Sequence, residues 1–179
     1  YSLDSLKNEN KFYKSENKRL KKLIDEKNVY SNEFLLSKVL LDQQSPYLKS
    51  VIINKGFNHG IKLGVAVKEK YYFVGKIINV NFLTSRILLA SDLNSKIPVI
   101  IEPNGINAIL SGQGHNDYAG LEFLPKLKKI KEGDVVYTSG VDGIISEAIP
   151  IGKVIEKDEK LFVEFFVDYN QLKYVKINK

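Results

Sequence analysis

The chain has 179 residues, a formal charge of +6 from 27 Lys and Arg against 21 Asp and Glu, and a hydrophobic fraction of 44%. That apolar fraction supplies a core and excludes a disordered chain. The absence of Cys excludes disulfide frameworks, thiolate metal sites and cysteine nucleophiles.

The first predicted element is a helix with a seam. Leu3, Leu6, Asn10, Tyr13, Asn17, Leu20 and Ile24 follow alternating steps of three and four. This is a heptad pattern, with Leu3, Asn10, Asn17 and Ile24 at a and Leu6, Tyr13 and Leu20 at d. Charged residues fill the other faces, and no Pro or Gly interrupts the run. Asn at a positions weakens a coil but sets register and favours a parallel dimer. The alternative is a solitary amphipathic helix lying on its own domain, which would show a wider and more apolar stripe. The helix is expected to run on through Phe34, Leu35 and Leu36 towards Lys38, and Ser45-Pro46 marks a break.

The pattern then changes to β. Short apolar runs recur at 51–53, 65–67, 73–80, 86–90, 97–101, 108–110, 121–124, 135–137, 151–155, 161–167 and 174–177. Turn signals separate them at Asn58-His59-Gly60, Asn104-Gly105, Asn116-Asp117, Glu132-Gly133-Asp134 and Asp142-Gly143. Many short strands with almost no helical pattern between them indicate antiparallel sheets closed on themselves. Roughly eleven strands are too many for one small barrel, so two small packed barrels are expected. The organisation read from the chain is mainly β: a coiled-coil helix over 1–38, a first antiparallel β-barrel over 39–95 and a second over 96–179. The last strand has the option of returning to the first barrel.

No stretch is long and apolar enough to span a bilayer, and no signal peptide is visible. The chain begins at Tyr1 and has no Met, so an N-terminal segment carrying any membrane anchor is expected to precede it.

A search for chemistry finds no assembled site. The two histidines, His59 and His115, each sit in a turn without a second ligand at metal-binding spacing. No nucleophile elbow or Walker loop is present. Gly140, Gly143 and Gly152 are read as glycines that allow positive φ in β-turns. No catalytic, cofactor-binding or metal-binding residue is assigned. The lysines are interleaved with Glu and Asp, as on an ordinary soluble surface, and no RNP-like string of aromatic and basic residues appears. Nucleic acid is therefore not an expected partner. Tyr71 and Tyr72 follow the charged stretch Lys68-Glu69-Lys70. They are either partner anchors or, in part, the cover of a barrel end with Phe73 in the core.

Six ordered motifs over residues 51–154 carry a family resemblance. Ile53-Asn54-Lys55-Gly56 through His59-Gly60-Ile61 to Gly64-Val65-Ala66-Val67 resembles the opening of the MreC family of rod shape-determining proteins. Phe73-Val74-Gly75-Lys76-Ile77 is similar to its next motif. Thr84-Ser85-Arg86-Ile87-Leu88-Leu89 with Asp92, and then Ile97-Pro98-Val99, resemble the following two. Gly133 to Gly140 and Ile149 to Val154 resemble the last two. The motif turn residues are Gly56, Gly60, Gly64, Gly75, Gly133, Asp134, Thr138, Ser139, Gly140 and Gly152. In one departure, Ser146 and Ala148 stand where the family usually has Pro and Gly.

The resemblance implies a coiled coil followed by two small β-barrels, anchored in the bacterial inner membrane by a single N-terminal span, with this part in the periplasm. It implies homodimers that extend into filaments. It further implies a non-catalytic scaffold for cell-wall elongation that maintains rod shape, uses no cofactor, and binds a class B penicillin-binding transpeptidase and other membrane proteins of the elongation complex. Other readings are a periplasmic adaptor of a secretion or efflux system, a basic nucleic-acid-binding barrel and a cryptic hydrolase. Adaptors usually present two antiparallel helices, and one helical segment is visible here.

Overall fold

The structure is a computed structural model. It describes residues 2–23, 34–44, 48–125, 129–141, 143 and 148–178, with only the backbone of 19–23 and 41–44. Ile24, Ser45, Pro46, Asp142, Ser146 and the side chain of Leu20 lie outside the described residues.

Two units are present, residues 1–32 and 33–179. The first is α1, Leu3–Leu23. Ser2 caps it, its Oγ accepting the Ser5 N–H at 3.2 Å, and Asp4 puts a negative charge in the first turn, where the helix dipole favours it.

The second unit is all β. Its strands are β1 Phe34–Gln44, β2 Lys49–Ile53, β3 Ala66–Glu69, β4 Tyr72–Val80, β5 Ser85–Leu89, β6 Lys96–Glu102, β7 Ile106–Gly112, β8 Tyr118–Glu122, β9 Val135–Thr138, β10 Pro150–Lys157, β11 Lys160–Phe165 and β12 Tyr174–Asn178. They form two closed six-stranded barrels, in the order β1-β12-β3-β4-β5-β2 and β10-β11-β8-β7-β6-β9. All described pairings are antiparallel, for example β6 with β7 and β4 with β5. Alternation sends Val51, Ile53, Val67, Phe73, Ile77, Ile87, Val175 and Ile177 into the first barrel. It sends Ile97, Val99, Ile101, Leu110, Val136, Ile151, Val154 and Val163 into the second, and all sixteen are buried. The first barrel takes its last strand from the end of the chain.

The helix does not run on to Lys38. Residues 34–38 are strand, paired with β12 from Phe34↔Asn178 to Lys38↔Tyr174. Here Leu35 and Val39 pack on the core and Ser37 is buried, while Phe34, Leu36, Lys38 and Leu40 face outward. Ser37 is satisfied by Asn54, whose Oδ1 lies 2.9 Å from the hydroxyl and also accepts the Lys38 N–H at 3.0 Å. A buried Ser between exposed apolar residues inverts the usual strand pattern.

Gly140 and Gly143 do have positive φ, 70° and 69°. Gly152 does not, and the turn reading is corrected there. It lies inside β10 opposite Phe165, and a Cβ would collide with the Glu164 carbonyl oxygen. Gly75 is held likewise against the Leu88 carbonyl. Both glycines permit a close strand approach rather than a turn.

Three groups tie the barrels together. Tyr169, in the 3-10 turn Tyr169–Gln171 between β11 and β12, is fully buried. Its hydroxyl donates to the Val74 carbonyl of β4 at 3.1 Å, and its ring meets Phe165 of β11 edge-on at 5.1 Å between centroids. Asp92, on the connector between the barrels, is also fully buried. Its carboxylate accepts the Lys49 N–H at 2.6 Å and the Asn94 N–H at 2.7 Å. Asn116 of the second barrel donates to Asn170 at 3.1 Å.

Ala148 has φ 64°, a left-handed conformation that costs a non-glycine residue about 1 kcal/mol or more. Ala148→Gly should therefore stabilise the protein by about 1 kcal/mol, raising the melting temperature by roughly 2–4 °C. A lower melting temperature by calorimetry would show that this strain is not relieved by glycine.

Candidate interaction surface

Tyr71 stands at the β3–β4 connection, where Lys70 turns the chain with φ 55°. Its side chain is 77% exposed. One residue on, Tyr72 begins β4 and is half-buried, its ring 5.0 Å from that of Phe166. Phe73 is fully buried. The trio thus divides: Tyr71 faces solvent, Tyr72 covers the junction with the segment leaving β11, and Phe73 is core. Glu69 precedes the turn. Burial raises its carboxyl above the ordinary range, Lys70 works against that, and the Asp168 carboxylate adds to it. The hairpin therefore presents an aromatic ring beside a lysine and a carboxyl group that ionises at a higher pH than usual.

The heptad residues Leu3, Leu6, Asn10, Tyr13 and Asn17 lie on α1 and are exposed. Phe12 is exposed beside them, its ring 5.8 Å from that of Tyr13. Leu20 is within the helix, and Ile24 falls outside the described residues.

The motif residues have structural tasks. Gly56 is buried, and it must be glycine because a Cβ would strike the Asn81 carbonyl oxygen. Gly60 (φ 81°), Gly64 (φ 80°) and Gly133 (φ 92°) adopt left-handed turns. Asp134 accepts the Lys131 N–H at 2.9 Å, closing its turn, while its carbonyl receives Val154 N–H at 2.8 Å. Thr138 is fully buried, and its hydroxyl accepts the Ile149 N–H at 3.0 Å. The Ser139 N–H reaches the Pro98 carbonyl at 3.1 Å, and its Oγ faces the Val141 N–H at 3.4 Å. These bonds pin β9 to β10 and to β6; they hold the second barrel closed rather than forming a reaction centre.

His59 Nδ1 accepts the Gly56 N–H at 3.2 Å, and His115 stacks edge-on against Tyr118 at 4.2 Å. Among the described residues no cluster of His, Asp and Glu could hold a metal ion. Sequence reasoning missed Tyr169 as a binding residue between barrels; a tyrosine in a short polar connection carries no periodic signal. It quoted Asp92 within a motif, but the contact with Lys49 depends on tertiary structure.

Residues 39–179 match the family model of the rod shape-determining protein MreC, barrel core. The cell shape-determining protein MreC of Cereibacter sphaeroides is 36% identical over 130 residues, covering 72% of this chain and 43% of that protein. The chain thus spans well under half the length of that relative. The crystal structure of MreC from Pseudomonas aeruginosa superposes with a TM-score of 0.76 at 26% identity, covering 82% of this chain and 99% of that one. A chain from the complex between penicillin-binding protein PBP2 and MreC of Helicobacter pylori shares the fold, with a TM-score of 0.57 at 15% identity over 82% of this chain and 99% of its own. With paired six-stranded barrels, motif glycines seated where the strands close, and a family match across nearly all of the β unit, the chain belongs to the MreC family of rod shape-determining proteins.

Proposed function

We propose that the chain is the scaffold portion of a cell-shape determinant. It binds a peptidoglycan-synthesis enzyme through the β unit, self-associates through α1, and catalyses nothing itself. The observation that carries this reading is the match of residues 39–179 to the MreC barrel core. The fold shared with a protein described in complex with a penicillin-binding protein supports the class of partner. The scaffold role is supported by where the polar side chains go: Asp92, Thr138 and Asp134 are engaged with backbone groups that close and join the barrels.

Tyr71, backed by Tyr72, is the anchor assigned to the transpeptidase. A buried aromatic at a hot spot is worth about 2 kcal/mol, so Tyr71→Ala should weaken binding roughly thirtyfold. Its exposure means the melting temperature should stay near that of the parent. Unchanged affinity in a titration calorimetry experiment would remove the hairpin from the interface.

Self-association is assigned to the exposed seam of Leu3, Leu6, Asn10, Tyr13 and Asn17. An isolated coil of this length is marginal in water, so the dimer is expected to be weak. Leu6→Asp with Leu20→Asp should shift sedimentation to the monomer, and an unaltered dimer mass in that variant would refute the seam. The associated location is the periplasmic side of the inner membrane, held by an N-terminal span; protease digestion of spheroplasts reads that placement directly. No described helix is long and apolar enough to cross a membrane.

A further inference from the structure

The end of the first barrel opposite Tyr71 carries a second, unassigned surface. Strand β4 runs from Tyr72 to Val80, so the 81–84 turn lies at its far end. There Phe57, Leu63, Phe82 and Leu83 are each more than half exposed. Phe57, Leu63 and Phe82 line one open depression with Lys62. The two loops that carry them are fastened to each other. Phe57 N–H donates to the Asn81 carbonyl at 2.8 Å, and Asn58 N–H to the Phe82 carbonyl at 3.0 Å. Asn81 N–H closes the turn onto the Thr84 carbonyl at 2.8 Å, and Gly64 N–H holds the base of the other loop on Ile77 at 2.8 Å. Gly56 is pressed against the 81–84 turn with no room for a side chain. The apolar side chains are therefore displayed on a braced tip, and little ordering remains to be done on binding.

Charge selects the occupant. Residues 54–64 and 80–84 contain Lys55 and Lys62 and no Asp or Glu. Phe and Leu at a protruding tip, flanked by lysines and free of acids, is the composition of an interfacial membrane anchor. The rings and branched chains enter the acyl boundary while the ammonium groups meet anionic headgroups. A lysine stem can lie along the apolar layer and keep its charge at the headgroups.

We propose that this tip, Phe57, Leu63, Phe82 and Leu83 with Lys55 and Lys62, docks on an anionic lipid surface. The probe is co-sedimentation of the chain with vesicles of phosphatidylcholine, with and without phosphatidylglycerol, at low and high salt. The chain should sediment with the phosphatidylglycerol vesicles, and salt should weaken the association. Leu63→Asp with Phe82→Asp should lower partitioning roughly hundredfold. Lys62→Glu, which leaves the apolar tip intact, should lower it roughly tenfold on anionic vesicles alone. Tyr71→Asp, at the other end of β4, should change nothing. The proposal is overturned if the chain ignores both vesicles, or if the tip variants sediment like the parent, which would place any lipid affinity in α1. It is equally overturned if Leu63→Asp with Phe82→Asp keeps vesicle binding but loses self-association or transpeptidase binding; the tip would then be a protein-binding face.

Discussion

Replacing Tyr169 with Ala should lower stability by about 3–5 kcal/mol, the range for removing a large buried aromatic. The ring is fully buried against Phe165, and the hydroxyl reaches across to the Val74 carbonyl. For a β unit of this size, that is a fall in melting temperature of roughly 10 °C. Tyr169→Phe keeps the packing and loses the hydrogen bond, and should cost about 1–2 kcal/mol. The pair of variants also gives a pH signature. Burial, and secondarily the Glu69 carboxylate, push the Tyr169 phenol well above its ordinary value. The folded state therefore holds the neutral form. Below pH of about 10 the phenol is neutral in both states and its full contribution is present. Above that, the unfolded phenol ionises while the folded one does not, so stability falls as pH rises. Tyr169→Phe should flatten that alkaline loss. A variant with the parent's melting temperature and alkaline slope would show that Tyr169 does not clamp the barrels.

Gly152→Ala should cost about 3 kcal/mol or more, because the new methyl group would overlap the Glu164 carbonyl and approach Val163 Cγ1 at 2.8 Å. Neither neighbour has room to yield: one is backbone of β11 and the other is a fully buried core residue. Gly60→Ala is the matched comparison. Gly60 has open space around it, so only its φ of 81° opposes a side chain. That substitution should cost about 1 kcal/mol. Equal melting temperatures for the two variants would contradict the distinction between a glycine needed for approach and one needed for a turn.

The two barrels were legible because short apolar runs, such as Ile97–Ile101 and Val135–Tyr137, recur between turns that carry glycine or asparagine. β1 was not legible. Its inward set includes Ser37 while Phe34, Leu36 and Leu40 face out, so a rule that sends apolar residues inward misplaces it. The preceding helix then seemed to extend into it. The motif glycines were visible as a pattern, but their tasks were not: Gly152 and Gly60 look alike in sequence and are constrained by different atoms. Of the aromatic trio Tyr71, Tyr72 and Phe73, the burial of Phe73 follows from alternation. The separation of Tyr71 from Tyr72 depends on Phe166, more than ninety residues away. The apolar tip depends on a similar closure, since Phe57 and Phe82 are brought together by the pairing of β2 with β5 and by the bonds to the Asn81 and Phe82 carbonyls.

Because β12 lies between β1 and β3, the first barrel is sealed by a strand that follows every strand of the second in sequence. During synthesis the second barrel can close as soon as residue 165 has emerged, whereas the first must wait as an open sheet for residues 174–178. Its interim edges are β1 and β3, whose backbone donors and acceptors would be available to another nascent chain. A premature stop or a protease cut just before Tyr174 would leave the second barrel whole and the first permanently unsealed. β12 thus acts as a check on all that precedes it: only a chain translated and preserved through residue 178 has a finished first barrel.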